Sequence, residues 1–485
     1  MNSIKPNAIQ ELISSLEIDR LVPELYSAYR PLLSDALEVF LDRLPDGIQS
    51  EIADAQERLA DNATAEVRLF TLFQSCPTLQ KLGQIVARHE KLDESLKAQL
   101  RLLESIPTAR NTDAVESLAI AALQSNVERY DIALYPNQAE EGSVALAIPC
   151  SWRLPAEKRR RRGIIKVLKP GIEERVSIEL EALRCVATHL DEHDHPNSKF
   201  EYRETLDSVR ELLIQETNLE AEQRHLSAAR KAYRRASRVK IPQILPFSTP
   251  RVTAMEQIIG TKVTDSVAAA HSLSANVLAW NIVETLVLHV IFSKDKESIF
   301  HADPHAGNIF VTPDGRVAPI DWSLIGYLSR PVRTQLTDIF LGGLTLDRKR
   351  ITRAVNRLSD AGDEARPIDQ EIRAALAKVK NGQLPGPTWI VELFDGLLNT
   401  GVRFSAELLL FRKSLFTITG VISEIAPRFS VDRTFFLSFF KYLSLDSPKR
   451  LYALPFSRNY RTNLSNYDLL LLYVQSPLVL ARYLR

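Results

Sequence analysis

Apolar positions along the chain change period more than once, and those changes divide it. Over residues 1–125 they recur at helical spacing with almost no glycine, which predicts a run of helices. From 127 to 170 the pattern shortens. Ser143 to Pro149 is one compact apolar run, and Gly163-Ile-Ile-Lys-Val-Leu168 is a second, β-branched one. The second stops at Pro170-Gly171, so both read as strands. An amphipathic pattern then predicts a helix over 172–192, ending at the polar stretch Asp191 to Asn197, and another over 202–233. Val239 to Phe247 and Arg251 to Gln257 read as extended segments interrupted by prolines. From Ser272 onward the pattern is helical again, except for one hairpin. There Asn308-Ile-Phe-Val311 pairs with Arg316-Val-Ala-Pro-Ile-Asp321 across Thr312-Pro-Asp-Gly315, a strong turn signal.

Composition narrows the class without naming a function. The chain has 485 residues, 45% of them apolar and 25% charged, enough to bury a substantial core. Lys and Arg number 61 against 60 for Asp and Glu, so net charge gives no argument for binding nucleic acid. The cationic run Lys158-Arg-Arg-Arg-Arg162 reads first as a solvated loop. Cys76, Cys150 and Cys185 are odd in number and show neither disulfide nor metal-ligand spacing. The N-terminus lacks the apolar core of a signal peptide. Val277 to Phe292 is apolar but holds Asn281, Glu284 and His289, so it reads as a buried helix rather than a membrane span. A cytoplasmic protein is expected, with contact to a membrane surface left open.

The most specific segment is His301-Ala-Asp-Pro-His-Ala-Gly-Asn308, followed by Asp321-Trp-Ser323. Phosphoryl transfer needs a carboxylate near the acceptor nucleophile, and an amide oxygen with a second carboxylate to hold the metal between phosphates. Asp303, Asn308 and Asp321 supply those groups in the order kinases use, with a hairpin to present both metal ligands. The plainer alternative, a helix-capping Asp303 and a turn Asp321, explains fewer of the spacings. A zinc or hydrolase reading of His301, Asp303 and His305 lacks a further ligand. Lys166 stands inside the apolar run 163–168, where a lysine is costly unless an anion meets it. Leu212, Glu216, Leu219 and Leu226 share a helix face, and Glu222 lies three residues beyond Leu219. Each glutamate alone reads as solvated. Taken together, in kinase order, they favour a Lys166–Glu222 ion pair.

These motifs resemble the UbiB/AarF/ADCK family of atypical kinases. His301 to Asn308 looks like its catalytic loop, with Ala306 where a second proline is common, and Ile165-Lys166-Val-Leu-Lys-Pro-Gly171 resembles its strand lysine motif. Met255-Glu256-Gln-Ile-Ile-Gly260 resembles the hinge, and Lys81-Leu-Gly-Gln84 matches the KxGQ motif that ordinary kinases lack. Leu408 to Phe429 resembles the family's late helical segment, so the likeness covers about 75 to 430. The resemblance implies an α+β, bilobal protein-kinase-like fold with a small mixed N-lobe, a large helical C-lobe and an N-terminal helical extension. The implied division is 1–74 helical region, 75–126 KxGQ-type extension, 127–258 N-lobe, 259–430 C-lobe and 431–485 helical tail. It also implies ATP and Mg²⁺ as cofactors. Asp303 would be catalytic with Lys166 and Glu222; Asn308 and Asp321 would hold the metal. Ser143, Met255, Glu256 and Gln257, with Lys166, would contact nucleotide, and Lys81, Gln84 and Glu216 would gate the pocket.

Departures from the family pattern bear on activity. The ExD motif is Glu216-Thr-Asn218, with an amide where a metal-assisting aspartate is expected. The DFG triplet is Asp321-Trp322-Ser323, and Glu141 to Ala145 keeps the nucleotide loop poorly. Leu469 to Leu484 is apolar but broken by Gln475, Pro477 and Arg482, so the transmembrane helices of some members are missing; core packing is expected for 440–485. The expected function is a slow ATPase or phosphotransferase linked to ubiquinone or isoprenoid-lipid metabolism. Two alternatives stand beside it: a nucleotide-binding pseudokinase scaffold with protein partners, and a small-molecule kinase of the aminoglycoside or choline kinase type. The KxGQ motif argues against the last.

Overall fold

The computed structural model of the chain describes residues 12–21, 27, 30–60, 62–86, 100, 103, 106–107, 112–193, 210, 213–268, 274–359 and 365–484. It divides into two compact units, one of residues 1–223 with 244–257 and one of residues 224–243 with 258–485.

In the first unit the predicted helical run is present as Arg30–Asp42, Asp46–Glu57, Ala65–Ser75 and Pro77–Val86, followed by Thr112–Leu123. Their apolar stripes, among them Phe40, Leu41, Ile52, Leu72 and Leu79, close on the inner face of the long helix Ile172–His193. That face recurs at helical spacing as Ile172, Val176, Leu183, Val186 and Leu190, with one charged member, Glu179, which is fully buried. A carboxylate is tolerated there because three donors meet it. The Thr78 backbone N–H (3.0 Å) and hydroxyl (2.7 Å) reach one oxygen, and Arg175 Nε reaches the other at 2.6 Å. Thr78 lies in the first turn of Pro77–Val86, where backbone N–H groups lack helical partners and the dipole favours an anion. Glu179 therefore seats the helix that carries Lys81-Leu-Gly-Gln84. Burial pushes its carboxyl pKa up, and the bonds from Arg175 and Thr78 oppose that shift.

The unit's sheet has six antiparallel strands. Ala145–Trp152 and Arg161–Leu168 form its centre, and Val252–Glu256 lies at one edge. The register sets Lys166 between Ala147 and Thr253. Gly163 is required by close approach, since a Cβ there would stand 2.9 Å from Leu245 and 3.1 Å from the Cys150 sulfur. Beneath the sheet Tyr130, Trp152 and Phe247 pack edge-to-face or tilted, with ring centroids 5.4–6.4 Å apart.

The second unit is mainly helical. The predicted hairpin pairs Ile309–Val311 with Val317–Pro319, Val311 opposite Val317. Gly315 takes the left-handed φ of +78° that its turn requires. Thr261–Lys262 adds a third strand to it. One expectation needs extension: Glu297–His301 also pairs with Ile325–Ser329, so the hairpin is not the sole extended structure after Ser272. The buried helix from Val277 is present as Ala275–Ile282, a π-helical turn Val283–Leu288 and His289–Ile291.

Two further expectations are corrected. The helix read over 202–233 is broken at Asn218, with helical residues 213–217 before it and Leu219–Ala232 after it, while 202–209 lies outside the described residues. Core packing of 440–485 holds for 460 and 462–465, but most side chains of 451–456 and 470–478 are exposed. No helix among the described residues is long and apolar enough to cross a membrane.

Replacing Glu179 by alanine leaves the Thr78 N–H and Arg175 Nε without their buried acceptor, while Arg175 keeps Glu51 and the Ser75 carbonyl. We expect a loss of about 2–4 kcal/mol in urea unfolding, the range for breaking a buried, hydrogen-bonded charge. An unchanged midpoint would mean that Glu179 does not seat this helix.

Candidate nucleotide-binding and catalytic residues

Lys166 points from the central strand to Glu222, whose carboxylate oxygen lies 3.0 Å from its ammonium. The Glu222 side chain is 2% exposed and that of Lys166 15%, so the pair is largely out of water. A buried carboxylate needs such a partner. Glu222 is presented from the first turn of Leu219–Ala232. Asn218 starts that helix: its side-chain oxygen accepts the Ala221 N–H at 2.9 Å. Asn218, followed by Glu220 and Glu222 in the first turn, is an N-terminal signature legible in the sequence.

The break at Asn218 also turns Glu216 to a different partner. Its carboxylate forms an ion pair with Lys81 through one oxygen and accepts the Ser143 hydroxyl at 2.8 Å through the other. Lys81, Glu216 and Ser143 are thus brought together, although 135 residues separate the first two. Gln84 is engaged elsewhere, donating to the Leu103 carbonyl at 2.8 Å beside Gln80, which donates to the same oxygen at 3.1 Å. Met255 and Glu256 end the edge strand, where Glu256 lies opposite Gly163, and the Gln257 N–H meets the Arg162 carbonyl at 3.4 Å.

In the second unit the residues of the expected catalytic loop are held by their own backbone. His301 is buried, and its two ring nitrogens have distinct partners: the Asp303 N–H at 3.2 Å from Nδ1 and the Ile320 carbonyl at 2.8 Å from Nε2. That pattern requires the neutral tautomer protonated at Nε2. Burial lowers the His301 pKa in the same sense. Both nitrogens being occupied removes His301 from the zinc reading, and among the described residues no group of three or more His, Cys, Asp or Glu could hold a metal. Asn308 Nδ2 donates to the Asp303 carbonyl at 3.2 Å, and the Asn308 carbonyl accepts the Ile320 N–H at 2.9 Å. Asp321 follows directly, in the left-handed region at φ +53°, its carboxylate accepting the Ser323 N–H at 3.2 Å. With Nδ2 used, the Asn308 side chain offers its carbonyl oxygen. That oxygen and the Asp321 carboxylate are hard donors of the kind Mg²⁺ takes, so the residues fit the ion.

Trp322 is 1% exposed. Its indole N–H donates to the Pro319 carbonyl at 3.0 Å, and its ring meets His301 edge-on at 4.9 Å and Tyr233 at 6.0 Å. Tyr233 in turn stacks on His289 at 4.2 Å. The indole at the DFG position is therefore accommodated as core. His225 was missed; its Nδ1 lies 3.2 Å from the Trp322 and Ser323 carbonyls and holds this turn.

Residues 157–355 match the ABC1 atypical kinase-like domain. The probable protein kinase UbiB of Xanthomonas campestris pv. campestris (strain 8004) is 25% identical over 393 residues, covering 77% of this chain and 69% of that protein. The protein of the same description from Xylella fastidiosa (strain M12) is 26% identical over 293 residues, 56% of this chain and 51% of its own. Among solved structures, Rv3197 from Mycobacterium tuberculosis, determined in complex with erythromycin, has a TM-score of 0.51 at 14% identity, covering 86% of this chain and 95% of its own. That last likeness is one of fold. The segment 157–355 is thus similar to the ABC1 atypical kinase-like domain, and the chain is similar over most of its length to the UbiB proteins.

Proposed function

We propose that this chain binds a magnesium nucleotide and acts as a slow ATPase or phosphotransferase in ubiquinone or other isoprenoid-lipid metabolism. The observation that carries the reading is the buried Lys166–Glu222 pair, which holds one ammonium in a fixed place on the central strand. The Asn308–Asp321 turn supports it as a source of magnesium ligands. The UbiB relatives motivate the pathway. In this reading Lys166 fixes the phosphates and Glu222 fixes Lys166. Asn308 and Asp321 hold the metal, and Asp303 orients the attacking hydroxyl or water and takes its proton. Bound Mg²⁺ supplies neutralisation of charge on the phosphate oxygens. The backbone of Met255 to Gln257 is assigned to the adenine, while Lys81 and Glu216, joined to Ser143, gate access.

A second reading, a nucleotide-binding scaffold without turnover, is favoured by one observation: Asn218 spends its side-chain oxygen on a helix N–H. Asp321→Ala should lower magnesium-dependent ATP hydrolysis by about a hundredfold or more, the scale set by losing one preorganised charge contact. Hydrolysis indifferent to that change would remove the proposed site. Asn218→Asp separates the two readings. Aspartate caps a helix as well as asparagine, so the thermal midpoint should hold. For a slow enzyme, hydrolysis should rise with the added carboxylate. For a scaffold, Mg·ATP should raise the midpoint of both forms with no turnover in either.

A further inference from the structure

Between Glu222 and Ile241 the chain places seven Lys and Arg residues and no Asp or Glu. Arg230 and Lys231 stand in the last turn of Leu219–Ala232, and Arg234 in the single turn Tyr233–Arg235 that continues it. Cations at a helix C-terminus complement its dipole, so these three alone call for no ligand. Lys240 and Arg316 are not explained that way. The first comes from the connector after the helix and the second from the hairpin, yet both line one cavity with Arg230, Lys231 and Arg234. Its volume is about 590 Å³, the size of a small-ligand site, and every lining residue belongs to the second unit.

Main-chain bonds fix this convergence. Val239 pairs in parallel with Val317, the Lys240 N–H donates to the Val317 carbonyl at 2.9 Å, and the Val317 N–H donates to the Arg238 carbonyl at 2.9 Å. Lys240 is thereby set beside the strand that Arg316 precedes. Arg230 is tied to the same connector, donating to the Ile241 carbonyl at 3.1 Å and to the Gln243 side chain at 3.4 Å. Tyr233, Val239 and Ile241 are the buried part of the lining, and the Tyr233 ring is fixed by its stack on His289. No carboxylate is among the lining residues; Asp314 adjoins them through its ion pair with Arg316 at 2.7 Å. Arg238 is turned elsewhere, to Asn281 at 2.8 Å and Glu284 at 3.4 Å. Lys231 and Arg234 are exposed and enter no ion pair among the described residues.

We infer that this cavity is an anion site apart from Lys166, taking a small soluble ligand that carries a diphosphate or two phosphate groups. Cations gathered from three segments repel one another, and a ligand with several phosphate oxygens relieves that repulsion through charge-assisted hydrogen bonds. The three arginines suit such oxygens, because a guanidinium offers paired donors in a planar fork. A nucleic-acid strand is the poorer occupant. It stacks its bases on open aromatic faces, whereas Tyr233, the one aromatic side chain of the lining, is buried against His289. A lipid surface is poorer too, since none of the large exposed apolar side chains belongs to the lining. The cavity shares no residue with the proposed nucleotide contacts, so either reading can fail without the other.

The test is titration calorimetry of the full chain with inorganic pyrophosphate in the absence of Mg²⁺, on a Lys166→Met background that disables the proposed nucleotide site. Pyrophosphate should still bind there, and more weakly as salt rises. Combined Lys231→Gln and Arg234→Gln should weaken it by about tenfold or more at an unchanged thermal midpoint, since both side chains are exposed. Lys240→Gln should also weaken it, because the site needs the connector as well as the helix. Arg235→Gln, an exposed cation of the same stretch outside the lining, should leave it unchanged. If Lys240→Gln lowers the midpoint, the double variant and Arg235→Gln decide alone. Absence of pyrophosphate binding on the Lys166→Met background would overturn the inference. So would an Arg235→Gln loss equal to that of the double variant, which would mean diffuse attraction to a basic stretch. A short single-stranded DNA that binds more tightly than pyrophosphate and is lost in the double variant would overturn it in favour of a nucleic-acid surface.

Discussion

A lysine inside a sheet strand needs a carboxylate that has itself left water, and Lys166 with Glu222 satisfies that constraint. The first unit is arranged so that such pairs can form. Glu222 reaches its lysine from a helix whose start is set by Asn218, and Glu216 reaches Lys81 because the same residue interrupts the helix before it. Glu179 meets Arg175 and the first turn of the helix that carries Lys81. Each carboxylate would be destabilising alone, and removing one partner from a buried pair typically costs several kcal/mol. None of the three therefore behaves as an ordinary solvated glutamate.

The second unit uses backbone rather than charge to hold His301 and the turn from Asn308 to Asp321. His301 is neutral because its nitrogens are divided between a donor and an acceptor, and the turn from Asn308 to Asp321 closes through main-chain bonds. Trp322 fills the core under this turn, with its one polar atom satisfied by Pro319. The larger ring is therefore no evidence against a formed site. The Asn218 amide is the departure with chemical weight, because it removes a charge and serves as a cap.

Legibility followed the range of the interactions. The hairpin across Thr312 to Gly315, the strand around Lys166 and the helix after Gly171 were set by turn residues and local periodicity, and the structure contains them. Glu179 was illegible, since a charge on an apolar stripe reads as a flaw until the distant Thr78 supplies donors. The pairing of Glu297–His301 with Ile325–Ser329 was missed because the hairpin and its turns separate two short segments. Asn218 was read for its missing carboxylate, not as the helix start that an asparagine followed by Glu220 and Glu222 signals. The tail deceived in the opposite direction. Its leucines and tyrosines have core composition, and only coordinates tell an uncovered apolar face from a covered one.

The proposal that this chain binds a magnesium nucleotide is tested most directly by titration calorimetry of ATP with and without Mg²⁺. The account predicts measurable binding that Mg²⁺ tightens. It predicts that Asp321→Ala abolishes this tightening while retaining weak metal-free binding, and that Lys166→Met weakens binding in both conditions. No heat of binding, or an affinity that ignores both Mg²⁺ and the two substitutions, would contradict it.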